Sequence, residues 1–116
     1  MLTSPLVITI DGVAHNLSRI NNDNFGSVYL KSGVGFEYRL TIRHSYEGKN
    51  GPGQMERHNI DFLHTTWDVN GVPTVRQAYH VIRTPRGGDS VLTGKDVIGL
   101  NALSTANITA VLGWES

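Results

Sequence analysis

Strict alternation over Glu37 to Tyr46, EYRLTIRHSY, constrains this chain more than any other stretch. Tyr38, Leu40, Ile42, His44 and Tyr46 are mostly bulky and apolar, whereas Glu37, Arg39, Thr41, Arg43 and Ser45 are all polar. A period of two belongs to a β-strand with one buried and one exposed face. Arginines at i and i+4 on the exposed face hint at a partner, but from spacing alone a solvated face that pairs them with Glu37, Glu47 or Asp61 explains them better.

The remaining chain supplies neighbours for such a strand. Leu6 to Ile10 and Val13 to Ser18 flank Asp11-Gly12, a strong two-residue turn signal, and read as a hairpin over 6–18. RINNDNFG reads as a polar connection, and Phe25 to Lys31 as a third strand turning at Ser32-Gly33. The alternating strand then spans Val34 to Glu47. Gly48 to Gln54 is a glycine-rich loop, Met55 to Trp67 a fifth strand and Val75 to Thr84 a sixth. Strands with short links and no intervening helix predict an antiparallel meander, with its sheet over 25–84.

Beyond Pro85 the pattern changes. Thr93 to Asp96, TGKD, matches a capping box, and Val97, Leu100 and Leu103 share a helical face. Ser104 to Asn107 can open a second short helix that Gly113 ends. Two short helices within 93–113 and a single domain over 1–116 make the fold class α+β.

One sheet has two faces, and two short helices cover only one. Strand parity places Arg39, Thr41, Arg43 and Ser45 beside Arg57, Asn59 and Asp61 on the other face; Tyr79 joins them if its strand has the matching parity. Arginine forks suit phosphate, and short polar side chains suit base edges. An exposed tyrosine suits an unpaired base, so a structured RNA fits this face better than a duplex groove. Ten basic and ten acidic residues leave no net charge, so only a local concentration of arginine serves such binding. The absence of cysteine excludes disulfides and thiolate chemistry. No apolar run reaches membrane-spanning length, and MLTSPLVITIDG lacks the features of a signal peptide, so a soluble, non-secreted protein is expected.

The order of elements resembles that of coat proteins of single-stranded RNA bacteriophages, the levivirus type. The likeness spans essentially the whole chain and rests on EYRLTIRHS, RHNIDF, DVNGVPTVRQAY and LSTANITAVLGW. It implies an N-terminal β-hairpin, a five-stranded antiparallel meander and two short C-terminal helices, interlocked as a dimer. Each chain's helices would cover its partner's sheet, and dimers would assemble into an icosahedral shell in the cytoplasm of a bacterial host, forming the virion. The resemblance further implies that the inner sheet face binds genomic RNA and an operator hairpin whose capture represses translation. It carries RNA contacts onto Arg39, Thr41, Arg43, Ser45, Asn59, Asp61 and Tyr79. It places an assembly loop at Trp67, Asp68, Val69, Asn70, Gly71, Val72, Pro73 and Thr74. An acid at Asp61 departs from the family pattern and would repel phosphate unless paired with Arg43 or Arg57.

No cofactor, metal or catalytic site is expected. His58 and Asp61 differ in parity and point to opposite faces. His44, His58 and His80 could cluster across strands, although core packing or pH-sensitive packing at a dimer interface accounts for them better. Trp67 and Trp114 are expected to anchor a strand end and the terminal helix against the sheet. Two readings compete with the shell protein: a stand-alone dimeric RNA-binding repressor, and a small α+β ligand-binding domain or enzyme.

Overall fold

In the computed structural model, which describes residues 2 and 4–115, six strands follow one another through a single antiparallel sheet. They are β1 (Leu6–Ile10), β2 (Val13–Asp23), β3 (Gly26–Gly33), β4 (Phe36–Glu47), β5 (Met55–Trp67) and β6 (Pro73–Pro85), followed by one helix, α1 (Ser90–Leu112). Met1, Thr3 and Ser116 lie outside the described residues. The β1–β2 turn has Asp11 at φ 51° and Gly12 at φ 75°, the doubly left-handed geometry that an Asp-Gly pair favours.

Besides a longer β6, which starts at Pro73 rather than Val75, two boundaries differ from the sequence reading. The RINND segment belongs to β2, because pairing with β3 supplies backbone partners that outweigh its polarity. Its register shifts between Arg19 and Asn21, leaving Ile20 as the extra residue of a bulge. The β3–β4 turn falls at Val34-Gly35, with Gly35 at φ 79°, because Ser32 and Gly33 remain paired with Glu37 and Phe36.

The apolar face is built from one parity of every strand. Leu17, Tyr29 and Tyr38 are buried, and Leu6, Ile8, Ile10, Phe36, Leu40, Ile42 and Phe62 pack against them. The sheet curls enough for His15 of β2 to meet the Tyr38 ring edge-on at 4.9 Å, across the width of β3. This core occupies the hairpin side of the sheet. Toward β6 the strand residues are largely exposed.

The expected pair of short helices is one continuous helix. Asp89, not Thr93, is its N-cap, accepting from the backbone N–H of Val91 and Leu92 at 3.0 and 3.1 Å. Thr93 lies inside the first turns, where its hydroxyl meets that of Thr84 at 2.9 Å and ties the helix to β6. No proline interrupts the chain at Ser104. Asn107, expected to help open a second helix, instead donates its side-chain amide to the Leu103 carbonyl one turn back.

None of the residues in α1 is buried, and its apolar side chains are spread around the circumference rather than gathered in a stripe. Val91, Leu92, Ile98, Leu100, Leu103, Ile108, Val111 and Leu112 are all exposed, as is Trp114 at 96%. Trp114 therefore does not anchor the helix on its own sheet. A helix that is apolar all round belongs inside a larger assembly.

The dimensions agree. The radius of gyration is 16.7 Å, against about 13 Å for a compact chain of this length. The accessible surface is 8623 Å², against about 6,200 Å² for a monomer of this mass.

Thr105→Pro separates one helix from two. At the first position of a second helix proline is tolerated. Within a continuous helix it should destabilise the protein by about 3 kcal/mol, measured by chemical denaturation.

Candidate nucleic-acid interface

Directly paired residues of adjacent strands project to the same face, so the register decides what stands together. Arg39 is flanked by Leu30 and Leu63, Thr41 by Val28 and Asp61, and Arg43 by Gly26 and Asn59. Ser45 faces Arg57. In β6, Tyr79 stands beside Asp61, Val81 beside Asn59 and Arg83 beside Arg57. Arg39, Thr41, Arg43, Ser45, Arg57, Asn59, Asp61 and Tyr79 thus share the face opposite the core. The register gives Tyr79 the parity that its own strand left ambiguous, and the residue is 59% exposed.

The register also brings in Asp23, Gln77 and Arg83, which the sequence reading did not assign to this face, beside Glu47, which it named as an arginine partner. Arg83 was detectable by period two from Tyr79. Asp23 was not, because the bulge at Ile20 reverses the parity of the end of β2 and moves it onto this side.

These residues pair off among themselves. Arg43 Nη1 donates to Asp23 Oδ2 at 2.9 Å. It reaches across Gly26, where a Cβ would come within 2.2 Å of the Ile42 carbonyl oxygen and 2.9 Å of the Arg43 Cδ. The Glu47 carboxylate receives Arg57 Nε at 3.3 Å and Arg83 Nε at 2.9 Å. Asp61 is not paired with Arg43 or Arg57, because both are held by other carboxylates; it accepts from Gln77 Nε2 at 2.8 Å. Among the described residues Arg39 has no ion-pair partner. The Asn59 side-chain oxygen is buried with no hydrogen-bond donor among them.

With Glu37 included, the face carries Arg39, Arg43, Arg57 and Arg83 against Asp23, Glu37, Glu47 and Asp61, and its formal charges cancel. Exposed pairs of this kind stabilise by less than about 1 kcal/mol each. A polyanion can therefore replace the carboxylates without disrupting the fold.

The β5–β6 connection is shorter than the assembly loop expected from Trp67 to Thr74. Trp67 pairs with Pro73 and Thr66 with Thr74, so only Asp68, Val69, Asn70, Gly71 and Val72 lie outside the strands. The Asp68 carboxylate accepts from the backbone N–H of Asn70 at 2.8 Å and of Val72 at 2.9 Å, closing the loop on itself. Val69 projects fully into solvent.

On the core side, His44 and His58 meet directly, Nδ1 to Nδ1 at 2.8 Å. Asp61 lies on the opposite face from His58, so the two form no acid–base pair. Among the described residues no group of three or more His, Cys, Asp or Glu side chains is placed to hold a metal ion.

The backbone N–H of Phe25, donating at 2.7 Å, and then Arg43 hold the Asp23 carboxyl below its ordinary 3.8. The Arg43 pair should therefore persist as pH falls through 3.8 and be lost only below it. A carbon-detected NMR titration of Asp23 checks this, and Arg43→Ala should move its midpoint back up.

Over residues 3–85 the chain matches the family described as phage phiCb5, coat protein. No curated protein matches it. Among solved structures it is similar to the virus-like particle of bacteriophage ESE058, with 18% identity and a TM-score of 0.67 across 91% of this chain and 89% of that one. At such low identity that likeness speaks for the fold alone, and the family match covers the hairpin and the whole sheet with its polar face. The chain belongs to the phage phiCb5 coat protein family and is a structural protein of the capsid.

Proposed function

We propose that this protein is the coat protein of a single-stranded RNA phage, built as an interlocked dimer that assembles into an icosahedral shell. Its polar sheet face lines the interior and binds genomic RNA, including an operator hairpin whose capture represses translation. Assembly takes place in the cytoplasm of the bacterial host and ends in the virion.

The observation that carries this reading is α1. It has no buried residue and no single apolar face, and a cleft separates it from β6 beyond the Thr84–Thr93 contact. A second copy meets both needs at once: its helix covers the exposed part of this apolar sheet face, and this helix covers the partner's. The surface in excess of a compact monomer, about 2,400 Å² by the scaling of folded proteins, is in the range buried by obligate homodimers. The particle form of the ESE058 relative supports extending the dimer to a shell.

Electron microscopy of the purified recombinant protein tests the assembly. Closed particles containing host RNA are expected, whereas dimers alone under varied salt and RNA would leave a repressor, and monomers would sink the dimer as well.

The internal pairing of the polar face makes RNA binding sensitive to the carboxylates as well as to the arginines. Arg39, which has no carboxylate to give up, should be the strongest electrostatic contact. Arg39→Ala should weaken RNA binding about tenfold and lower the dependence on salt by one phosphate contact, about 0.7 in the log–log slope. Asp23→Asn releases Arg43 and should tighten binding a few-fold. Arg43→Ala should weaken it while the dimer stays intact, as filter binding and sedimentation would show.

A further inference from the structure

All five histidines of the chain lie on one face of the sheet, the face opposite Arg39, Arg43, Arg57 and Arg83. His15 sits across from Ile8, His64 from Tyr38, His58 from His44 and His80 from Ile60, all residues of the apolar side. Of the strand carboxylates Asp23, Glu37, Glu47, Glu56 and Asp61, only Glu56 shares that face. Its strand cations are Arg19, Lys31 and Arg76. Protonation of these imidazoles therefore adds positive charge to a surface that is already cationic and apolar.

The contact between His44 and His58 makes the response specific. Nitrogens 2.8 Å apart share one proton, with one ring donating and the other accepting. Glu56 Oε2 lies 3.3 Å from His58 Nε2 and takes the proton of that nitrogen. This leaves His58 Nδ1 as the acceptor and His44 Nδ1 as the donor. When both rings are protonated, both Nδ1 atoms become donors and two cations face each other, so the contact cannot persist.

Other charged groups around the pair offer little relief. On β4 the next residue of this face is Tyr46, and Arg86, following β6, stacks over its ring at 4.7 Å. From β6, His80 shares a cleft with Asp96 of α1, whose carboxylate can compensate His80 but lines none of the space around His44 and His58. β3 contributes uncharged Ser27 and Tyr29, and the β2–β3 segment contributes Asn22, Asn24, Phe25 and Asp23, the last held by Arg43.

His44 and His58 line a groove of about 870 Å³ together with Ser27, Tyr29, Ile42 and Ile60. Resting on the dimer proposed above, we infer that this histidine pair makes the dimer interface acid-sensitive. The groove accepts the partner's apolar helix while the pair holds its single shared proton and rejects it once both rings are charged. The closed dimer then binds fewer protons than the open chains, so its stability falls as pH falls. With one excluded proton per chain, linkage sets the upper limit at about a hundredfold loss of association per pH unit.

The test is a dilution series of RNA-free full-length protein by sedimentation at about pH 7.5 and 5.0, for wild type and His44→Gln. Glutamine can donate to His58 Nδ1 but carries no charge. Wild-type dimers should dissociate at least about tenfold more readily at the lower pH, and the variant's should change by less than about threefold. Equal losses in both proteins, or no loss in wild type, overturn the inference. A wild-type monomer at the higher pH instead overturns the dimer reading on which it rests.

Discussion

The structure depends on a helix that its own chain cannot bury. α1 is 23 residues long, about 34 Å at 1.5 Å per residue, and apolar side chains leave it in every direction. Its N-cap at Asp89 and the Thr84–Thr93 contact fix where it starts but not what it lies on. Burial of apolar area is the main source of folding free energy, at roughly 25 cal/mol per Å². A chain that leaves this much of it unused has a core too small for its length. Leu17, Tyr29 and Tyr38 are its only buried hydrophobic residues among those described. In the proposed dimer, folding and association would be one process, and protomer stability inseparable from concentration.

The polar face is organised by a different constraint, the balance between arginines and carboxylates. Asp23 reaches Arg43 only because β2 carries a bulge and β3 places a glycine where any side chain would block the path. Glu47 holds two arginines together at the end of β4. The pairs keep like charges from repelling across adjacent strands before any partner arrives. They also make the arginines available by exchange rather than as bare charge, which lets a chain of zero formal charge present them to a polyanion.

Much of this organisation was legible in the chain because β-strand periodicity is local. Glu37 to Tyr46 and Met55 to Trp67 declare their faces by alternation, and Asp11-Gly12 declares its turn. Features that depend on pairing were not legible. The extension of β2 through RINND rests on hydrogen bonds to β3, and the reversed parity of Asp23 rests on a bulge that no local pattern marks. The helix was misread for a related reason. Thr93 to Asp96 and Ser104 to Asn107 carry capping residue types, but such residues also sit inside helices when their side chains find partners there. Thr93 finds Thr84, and Asn107 finds the Leu103 carbonyl.

The same alternation ties the two faces together mechanically. Arg43 and His44 are adjacent in β4, and Arg57 and His58 are adjacent in β5, with each pair split between the two sides of the sheet. A side chain on one face cannot shift along the strand without moving its neighbour on the other, since the peptide backbone has only two soft torsions per residue. Closing a helix over His44 and His58 therefore also fixes the spacing of Arg43, Arg57 and Asn59. In the proposed dimer, the partner's helix would hold the polar face at a defined curvature, and an RNA matching that curvature would favour the closed dimer in return. Thermodynamic reciprocity requires this second effect whenever the first exists, so the proposed association and RNA binding would reinforce each other through the thickness of one sheet.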